Sequence, residues 1–466
     1  MFMKKRAFLK FSSILGEICG VKIESISSVL VRKYSGQSIS ESAEKPGEIP
    51  EYDYSPGKDV ANQRRVYGWG NSEHGGLGNQ LQRKKHKKSP PRMIHRPFRM
   101  HFAEHHRVID VACGYGFSAF AIDSKERQLF GTGINTDFQI GYHSVRHGHP
   151  LAVLFAPVPV SSFPPLHSDK KKLDRVVSLS AGRSHLLVLM ASGAVYTLGG
   201  NHFGQCGLPP SEKKNPLQIV PHCITKAPDG SRFVSVECGQ DHSLLVSEKG
   251  DVWACGWGAD GQLGQGDCNS SWKLKRVGGE LSGKKIVKVS SIADTILALG
   301  EDGEVYGWGN NEYGQLLSRF SEPQFTTPLS LNVRSRTGPV KDIAASGSFC
   351  VIANESGEVF VWGYGILGLG PSADHLKEPK QIPSTLFGAG IFVDKPKVAK
   401  VAAGLSYSIA ILENGDIYSW GSNSHGYLGL GHTKDQFFPM KVAVGAAALK
   451  VSCGIDHTLA LCKPFA

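Results

Sequence analysis

The chain has 466 residues, a formal net charge of +11, 41% hydrophobic residues and 55 glycines. No run of 18 apolar residues occurs, so we expect no transmembrane helix. The ten cysteines show neither C-x-x-C spacing nor a zinc-ligand pattern, which argues against a metal or redox centre and favours a reducing compartment.

The N-terminal segment, residues 1–34, is basic and rich in serine. It carries seven Lys and Arg residues against Glu17 and Glu24. This composition is typical of a mitochondrial transit peptide, and Arg32-Lys33-Tyr34 resembles a matrix-peptidase cleavage site. The alternatives are a disordered basic arm or a nuclear signal at Lys4–Arg6. We therefore expect a matrix-side mitochondrial location, with residues 35–59 forming a linker.

Seven copies of one phrase follow, each with an aromatic residue at its second position and a glycine at its fifth. The copies begin at Val66, Leu129, Val195, Val252, Val305, Val359 and Ile417. A sequence that repeats at this spacing is typical of a propeller or another repeat architecture.

A second phrase of alternating apolar residues occurs after each opening phrase. Its copies begin at Val108, Val176, Phe233, Ile286, Val340, Val398 and Leu449. Turns such as Glu248-Lys249-Gly250 join it to the next opening phrase and favour hairpins. We predict an all-β, seven-bladed β-propeller over residues 60–464, with little helix, closed by pairing of its N- and C-terminal strands.

Residues 83–107 interrupt the first repeat and hold nine Lys and Arg residues against one Glu, a local net charge of +8. We interpret this segment as a basic insertion that contacts RNA or another anion. The alternative is a solvated loop neutralised by counterions. The contact candidates are Arg83, Lys84, Lys85, Lys87, Lys88, Arg92 and Arg96.

Three histidines, His185, His242 and His457, occupy one equivalent position of the second phrase. They could share one face of the propeller, or each could cap its own turn through a hydrogen bond. We expect no metal, because equivalent positions lie far apart around a ring. The string from Gly363 to Gly368 matches a dinucleotide-binding motif, but no helix is predicted after it, so no cofactor is expected. No Ser/His/Asp order or carboxylate pair indicates an enzyme.

The two phrases, V-Y-x-W-G and C-G-x-D-H-S-L, resemble those of the regulator of chromosome condensation family over residues 66–462, and with the transit-like leader they are similar to its mitochondrial branch. The resemblance implies guanine-nucleotide exchange on a mitochondrial dynamin-related fusion GTPase at the inner membrane. It also implies membership of a protein–RNA module that supports large-subunit ribosomal RNA, pseudouridylation and ribosome biogenesis. DNA is not an expected partner.

The resemblance also suggests which residues contact the GTPase. The nuclear family member uses aspartates of its G-x-D-H loops, and Asp241 and Asp456 match that motif here. The GTPase-contact candidates are therefore Asp241, His242, Asp456, His457 and His185. The nuclear factor has a wedge inserted within one opening phrase, and this chain has no such insertion. In the fourth copy of the second phrase, residues 290–295 lack the Gly and the His of the motif. The alternative is a purely structural interaction scaffold with no exchange activity.

Overall fold

The computed structural model describes residues 63–79, 92–125, 127–143, 152–160, 163, 174–210, 220–317, 322–390 and 395–465. The predicted transit peptide, the linker, and the candidates Arg83, Lys84, Lys85, Lys87 and Lys88 lie outside these residues.

The described part of the chain is almost entirely strand and turn. The strands are β1 (Arg65–Asn71), β2 (Met93–Arg99), β3 (Val108–Cys113), β4 (Phe117–Ile122), β5 (Leu129–Ile134), β6 (Val153–Pro159), β7 (Val176–Ala181), β8 (His185–Met190), β9 (Val195–Gly199), β10 (His222–Ile224), β11 (Phe233–Cys238), β12 (His242–Ser247), β13 (Val252–Gly256), β14 (Ser271–Arg276), β15 (Ile286–Ser290), β16 (Thr295–Gly300), β17 (Val305–Asn310), β18 (Gln324–Ser330), β19 (Val340–Ala345), β20 (Phe349–Asn354), β21 (Val359–Tyr364), β22 (His375–Ile382), β23 (Val398–Ala403), β24 (Tyr407–Leu412), β25 (Ile417–Gly421), β26 (Gln436–Val442), β27 (Ala447–Cys453) and β28 (His457–Lys463).

Helix is scarce in the described residues, as predicted. It is limited to α1 (Phe102–His105), α2 (Arg334–Thr337) and two 3₁₀ turns, Gly279–Leu281 and Ser384–Phe387.

The strands form seven antiparallel four-stranded sheets, which confirms the seven-bladed propeller. Blades 1 to 6 take four consecutive strands each, from β3–β6 to β23–β26. The closing blade has the order β2-β1-β28-β27 and joins the two ends of the propeller, with Tyr67 of β1 opposite Ala460 of β28. Because β1 and β28 pair with each other, neither end leaves an exposed sheet edge.

Position within a blade decides burial. The first strands, β3, β7, β11, β15, β19, β23 and β27, contact one another in turn around the ring, so they line the central axis. The second strand of every blade is buried on both faces, as in His185–Met190. Neighbouring blades cover both faces of each sheet, and apolar side chains therefore pack on both.

Tryptophans of the opening phrase join neighbouring blades. The indole nitrogen Nε1 of Trp69 donates to the carbonyl of Tyr427 at 2.7 Å, and those of Trp308 and Trp362 donate in the same way to Gln262 and Gln315. Each acceptor belongs to the loop of the preceding blade. The Nε1 atom of Trp420 has no partner among the described residues. Its acceptor would come from blade 5, whose loop is one residue shorter.

The predicted basic insertion 83–107 is wrong in its second half. Residues 93–99 form β2, the outer strand of the closing blade, and residues 102–105 form α1. The apolar side chains Ile94 and Phe98 interleave with the basic residues and pack against a buried cluster, which accounts for a strand here.

Candidate functional site

Two sets of turns meet at one end of the propeller, which we call the loop face. One set joins the first and second strands of each blade, and the other follows the third strand. Backbone hydrogen bonds tie the sets together: the amide of Trp257 donates to the carbonyl of Asp241 at 2.9 Å, and that of Asn310 to Asp294 at 2.8 Å. Both carboxylates therefore belong to this face.

Side chains from four consecutive blades converge near the axis of the loop face, and we call this group the acidic centre: Tyr115, Arg183, Asp241 and Asp294. Arg183 donates from Nε to Oδ1 of Asp241 at 3.1 Å and forms an ion pair with it. Asp294 accepts from the amide nitrogen of Gln262 at 2.9 Å. Asp241 thus has a cationic partner of its own, whereas Gln262, which donates to Asp294, is neutral.

The hydroxyl of Tyr115 has no hydrogen-bond partner among the described residues and is closed off from solvent. Burial raises its pKa, and the nearby carboxylates of Asp294 and Asp241 raise it further. A buried, unpaired hydroxyl costs free energy, about 1–3 kcal/mol in mutational series. The acidic centre therefore contains a polar atom that the described residues leave without a hydrogen-bond partner.

Electrostatics distinguish the acids of this centre. Burial, followed by repulsion from Asp260 and Asp241, raises the pKa of Asp294 to about 7. Burial also raises the pKa of Asp241, although Arg183 opposes it. Asp294 is therefore close to half-protonated at neutral pH. A cation placed beside it would favour the ionised carboxylate and release a proton.

Asp456 has different surroundings at the junction of the closing blade and blade 1. Its carboxylate accepts from Asn71 at 3.0 Å and pairs with Nδ1 of His457 at 2.9 Å. Burial acts to raise the pKa of Asp456, but the hydrogen bond from His457 and the charges of His457, His74 and His425 together outweigh it, and the pKa is lowered.

Nε2 of His457 lies 2.8 Å from the hydroxyl of Ser118, so Asp456, His457 and Ser118 have the connectivity of a hydrolase triad. Ser118 and His457 are completely buried, however, and no substrate could reach the hydroxyl. The group joins two blades and does not support hydrolysis.

The histidine predictions need correction. His185, His242 and His457 are each 0% exposed, so none can touch a partner in this conformation. Nδ1 of His457 bonds Asp456 of its own turn, whereas Nδ1 of His185 and of His242 has no partner among the described residues. His185 and His457 reach hydroxyls of the next blade, Ser243 at 3.1 Å and Ser118 at 2.8 Å. Burial lowers the pKa of His185 to about 4 and of His242 to about 3, so both are neutral at pH 7. Their role is to join blades and position the loops.

Asp294 was not predicted from the sequence. Thr295 pairs with Gly309 as His242 pairs with Gly256, so Asp294 and Asp241 are equivalent residues. The fourth repeat has neither the glycine nor the histidine of the G-x-D-H motif, so the complete motif does not point to Asp294. Alignment on the aspartate alone would have found it.

Two aromatic pairs on the loop face were also missed. Phe203 contacts Trp257 edge to face, with ring centroids 4.5 Å apart, and Tyr313 stacks on Tyr364 at 5.7 Å. The two tyrosines are 37% and 38% exposed. Large apolar groups of this kind are enriched in protein interfaces. The signal was present, because Phe203 and Tyr313 stand where other copies have Asp260 or His425.

The RNA-contact candidates that the structure describes, Arg92 and Arg96, are exposed at the outer strand of the closing blade. Arg92 lies 3.8 Å from the carboxylate of Glu73. Arg96 has no ion pair among the described residues. Neither lies near the acidic centre, because the outer strand is the one farthest from the axis.

The described residues contain no group of three or more His, Cys, Asp or Glu side chains arranged to hold a metal ion. No helix within the same residues is long and apolar enough to cross a membrane.

Comparison with protein families finds a match to the regulator of chromosome condensation (RCC1) repeat. The matched segments are 65–121, 192–246, 249–299, 302–353, 356–411 and 414–461.

Among curated proteins, the mouse RCC1-like G exchanging factor-like protein is 37% identical over 441 residues, which cover 92% of this chain and 94% of the relative. The human protein of the same name is also 37% identical and matches 92% of this chain and 93% of its own length.

Solved structures show the same similarity. The crystal structure of human WBSCR16 matches with a TM-score of 0.78 and 36% identity, over 86% of this chain and 100% of that chain. Yeast RCC1 (Prp20), in its complex with Kap60, matches with a TM-score of 0.71 over 87% of this chain and 90% of that chain. Its 21% identity supports the fold alone.

Proposed function

This chain belongs to the regulator of chromosome condensation (RCC1) repeat family, and from that premise we propose that it is a guanine-nucleotide exchange factor that binds a GTPase through the loop face. The observation that carries the proposal is the acidic centre, where the carboxylate of Asp294, which forms no ion pair within the described residues, converges with a tyrosine hydroxyl that has no partner among them. The name of its 37% identical relative, a G exchanging factor-like protein, supports the same activity.

Exchange requires no catalytic group of its own. A factor that binds the nucleotide-free GTPase more tightly than the nucleotide-bound form shifts the equilibrium toward release. A basic side chain of the GTPase would dock beside Asp294, which is partly exposed. The aromatic pairs Phe203–Trp257 and Tyr313–Tyr364 would cover the apolar surface around it. The rigid propeller offers this surface without a large rearrangement, which keeps the cost of ordering low.

We propose that the GTPase is a mitochondrial dynamin-related fusion GTPase, which the protein binds on the matrix side of the inner membrane. The basic, serine-rich composition of residues 1–34 supports a mitochondrial location. Import of the full chain fused to a fluorescent protein tests the location, and the fusion without residues 1–34 is the control. A full-length fusion that stays outside mitochondria would contradict this part of the proposal.

Release of labelled GDP from the purified GTPase tests the activity. Wild-type protein should accelerate release, and Asp294→Asn together with Asp241→Asn should reduce the acceleration about tenfold or more, because truncated buried charge contacts cost 2–5 kcal/mol. Asp123→Asn is a matched control, since Asp123 lies in the hairpin between β4 and β5 at the other end of blade 1. Binding without accelerated release at saturating protein would favour the structural scaffold instead.

A second function, in the protein–RNA module for mitochondrial large-subunit ribosomal RNA and its pseudouridylation, is favoured by two features. Arg96 is exposed and has no ion pair among the described residues, and the basic run 83–88 precedes it in the sequence. RNA crosslinked to the protein in mitochondria should fall when Lys84, Lys85, Lys87 and Lys88 become glutamate. Replacement of Lys377 and Lys380 on β22 by glutamate is the control for a change in net charge away from this segment. Unchanged RNA recovery in the first variant would exclude direct binding by this segment.

A further inference from the structure

Two histidines face each other on the segment that links the closing blade to blade 1. The chain leaves the outer strand β2, turns through α1, and enters the inner strand β3. His101 and His105 lie one helical turn apart here, and their Nε2 atoms are 3.0 Å from each other. Both side chains are exposed, with ring centroids 4.5 Å apart.

The backbone that carries these histidines is well anchored. The ring of Phe102 packs on Phe120 and Phe130, with centroids 5.4 and 5.0 Å away, and Ala103 is buried. The carboxylate of the intervening Glu104 is bound by Arg99. The two imidazoles therefore project from a fixed turn, and little ordering is needed to hold them together.

We propose that His101 and His105 form a two-imidazole site for a zinc-type divalent transition metal ion. Side chains at positions i and i+4 of a helical turn lie on one face. Two nitrogens bound to tetrahedral zinc at about 2.05 Å would be about 3.3 Å apart, so the observed separation requires only a small adjustment of the rings. Imidazole nitrogen suits zinc, copper and nickel.

Solvent would complete the coordination, because no third protein ligand lies at the site among the described residues. The ion would bridge the two ends of the turn that connects the last blade to the first. Binding to the folded state alone would raise stability as the free ion concentration rises above the dissociation constant. The alternative is an ordinary hydrogen bond in which one ring N–H donates to the other ring.

Calorimetric titration of the metal-stripped full chain with zinc chloride at about pH 7.5, where free imidazole is mostly neutral, tests the site. Wild type should bind one more ion per chain than the double variant His101→Asn, His105→Asn. Each single variant should weaken this site about tenfold or more. His375→Asn, an exposed histidine on β22, is the matched control and should leave the stoichiometry unchanged.

Copper(II) in place of zinc gives a second readout by electron paramagnetic resonance. The wild-type spectrum should show splitting from two imidazole nitrogens that is absent in the double variant. Equal zinc stoichiometry in wild type and double variant, together with identical copper spectra, would leave a hydrogen-bonded pair only and overturn the proposal. Circular dichroism of each variant checks that the propeller remains folded.

Discussion

At the residue scale, the G-x-D-H motif is explained by packing between blades. The imidazole of His242 turns back over the start of its own loop to reach Ser291 of the next blade. A side chain on Gly239 would overlap that ring, so glycine is required three residues before it. The fourth repeat lacks both residues: Ile292 occupies the glycine position, and the smaller Thr295 occupies the histidine position.

This relationship predicts the outcome of two substitutions. Gly239→Ala should destabilise the protein by about 1–3 kcal/mol, the usual cost of overpacking. Adding His242→Thr, as in the fourth repeat, should recover part of that loss, because the obstructing ring is removed. Denaturant unfolding of the single and double variants measures both effects. A double variant less stable than the sum of the two single changes would contradict this account.

Asp294 predicts a pH dependence of GTPase binding. Its pKa of about 7 in the free protein should fall when a basic group docks, so binding releases a proton. Affinity should therefore rise roughly tenfold between about pH 6 and pH 8, the change expected of one such group. Fluorescence titrations across this range measure the slope. Asp294→Asn should flatten it, and a slope unchanged in that variant would exclude Asp294 as the group responsible.

At the element scale, the copies of one phrase are unequal because their neighbours differ. Trp69 and Trp420 are both completely buried at the same position of the opening phrase. Trp69 has the carbonyl of Tyr427 as acceptor, whereas the shortened loop of blade 5 offers Trp420 none among the described residues. The opening phrase that begins at Val359 is one residue shorter than the other copies, and the consequence appears in the next blade.

Substitution by phenylalanine should distinguish the contributions of these two tryptophans to stability. Trp69→Phe and Trp420→Phe remove the same volume, but only the first also removes a buried hydrogen bond. Trp69→Phe should therefore cost about 1 kcal/mol more free energy of unfolding. Equal losses in denaturant unfolding would show that the bond contributes nothing beyond packing.

At the scale of the whole molecule, the closing blade holds the ring together. β28 lies between β1 and β27, and its register with β1 runs from Arg65 opposite Cys462 to Gly70 opposite His457. The group Ser118–His457–Asp456 then joins this blade to blade 1. Closure thus depends on contacts between residues nearly 400 positions apart in the chain.

Because β28 closes the ring, we expect its removal to abolish cooperative folding. A chain ending before His457 would expose the edges of β1 and β27 and open the junction to blade 1. Unfolding should then lose its single sharp transition, whereas a chain ending after Lys463 should behave as wild type. Thermal and denaturant unfolding compare the two. A single transition at the wild-type midpoint in the shorter chain would contradict closure by these strands.

The sequence by itself determined the number of blades, the family and the pairing of the chain ends, because aromatic, glycine and aliphatic positions recur with every copy and depend on contacts within a blade. Only the tertiary structure decided which varying residues can meet a partner. His185, His242 and His457 looked available but are buried between blades, while Asp294 and Tyr115 come together from repeats almost 180 residues apart. Such positions depend on how the blades are arranged around the central axis, and the spacing of repeats along the sequence does not specify that arrangement.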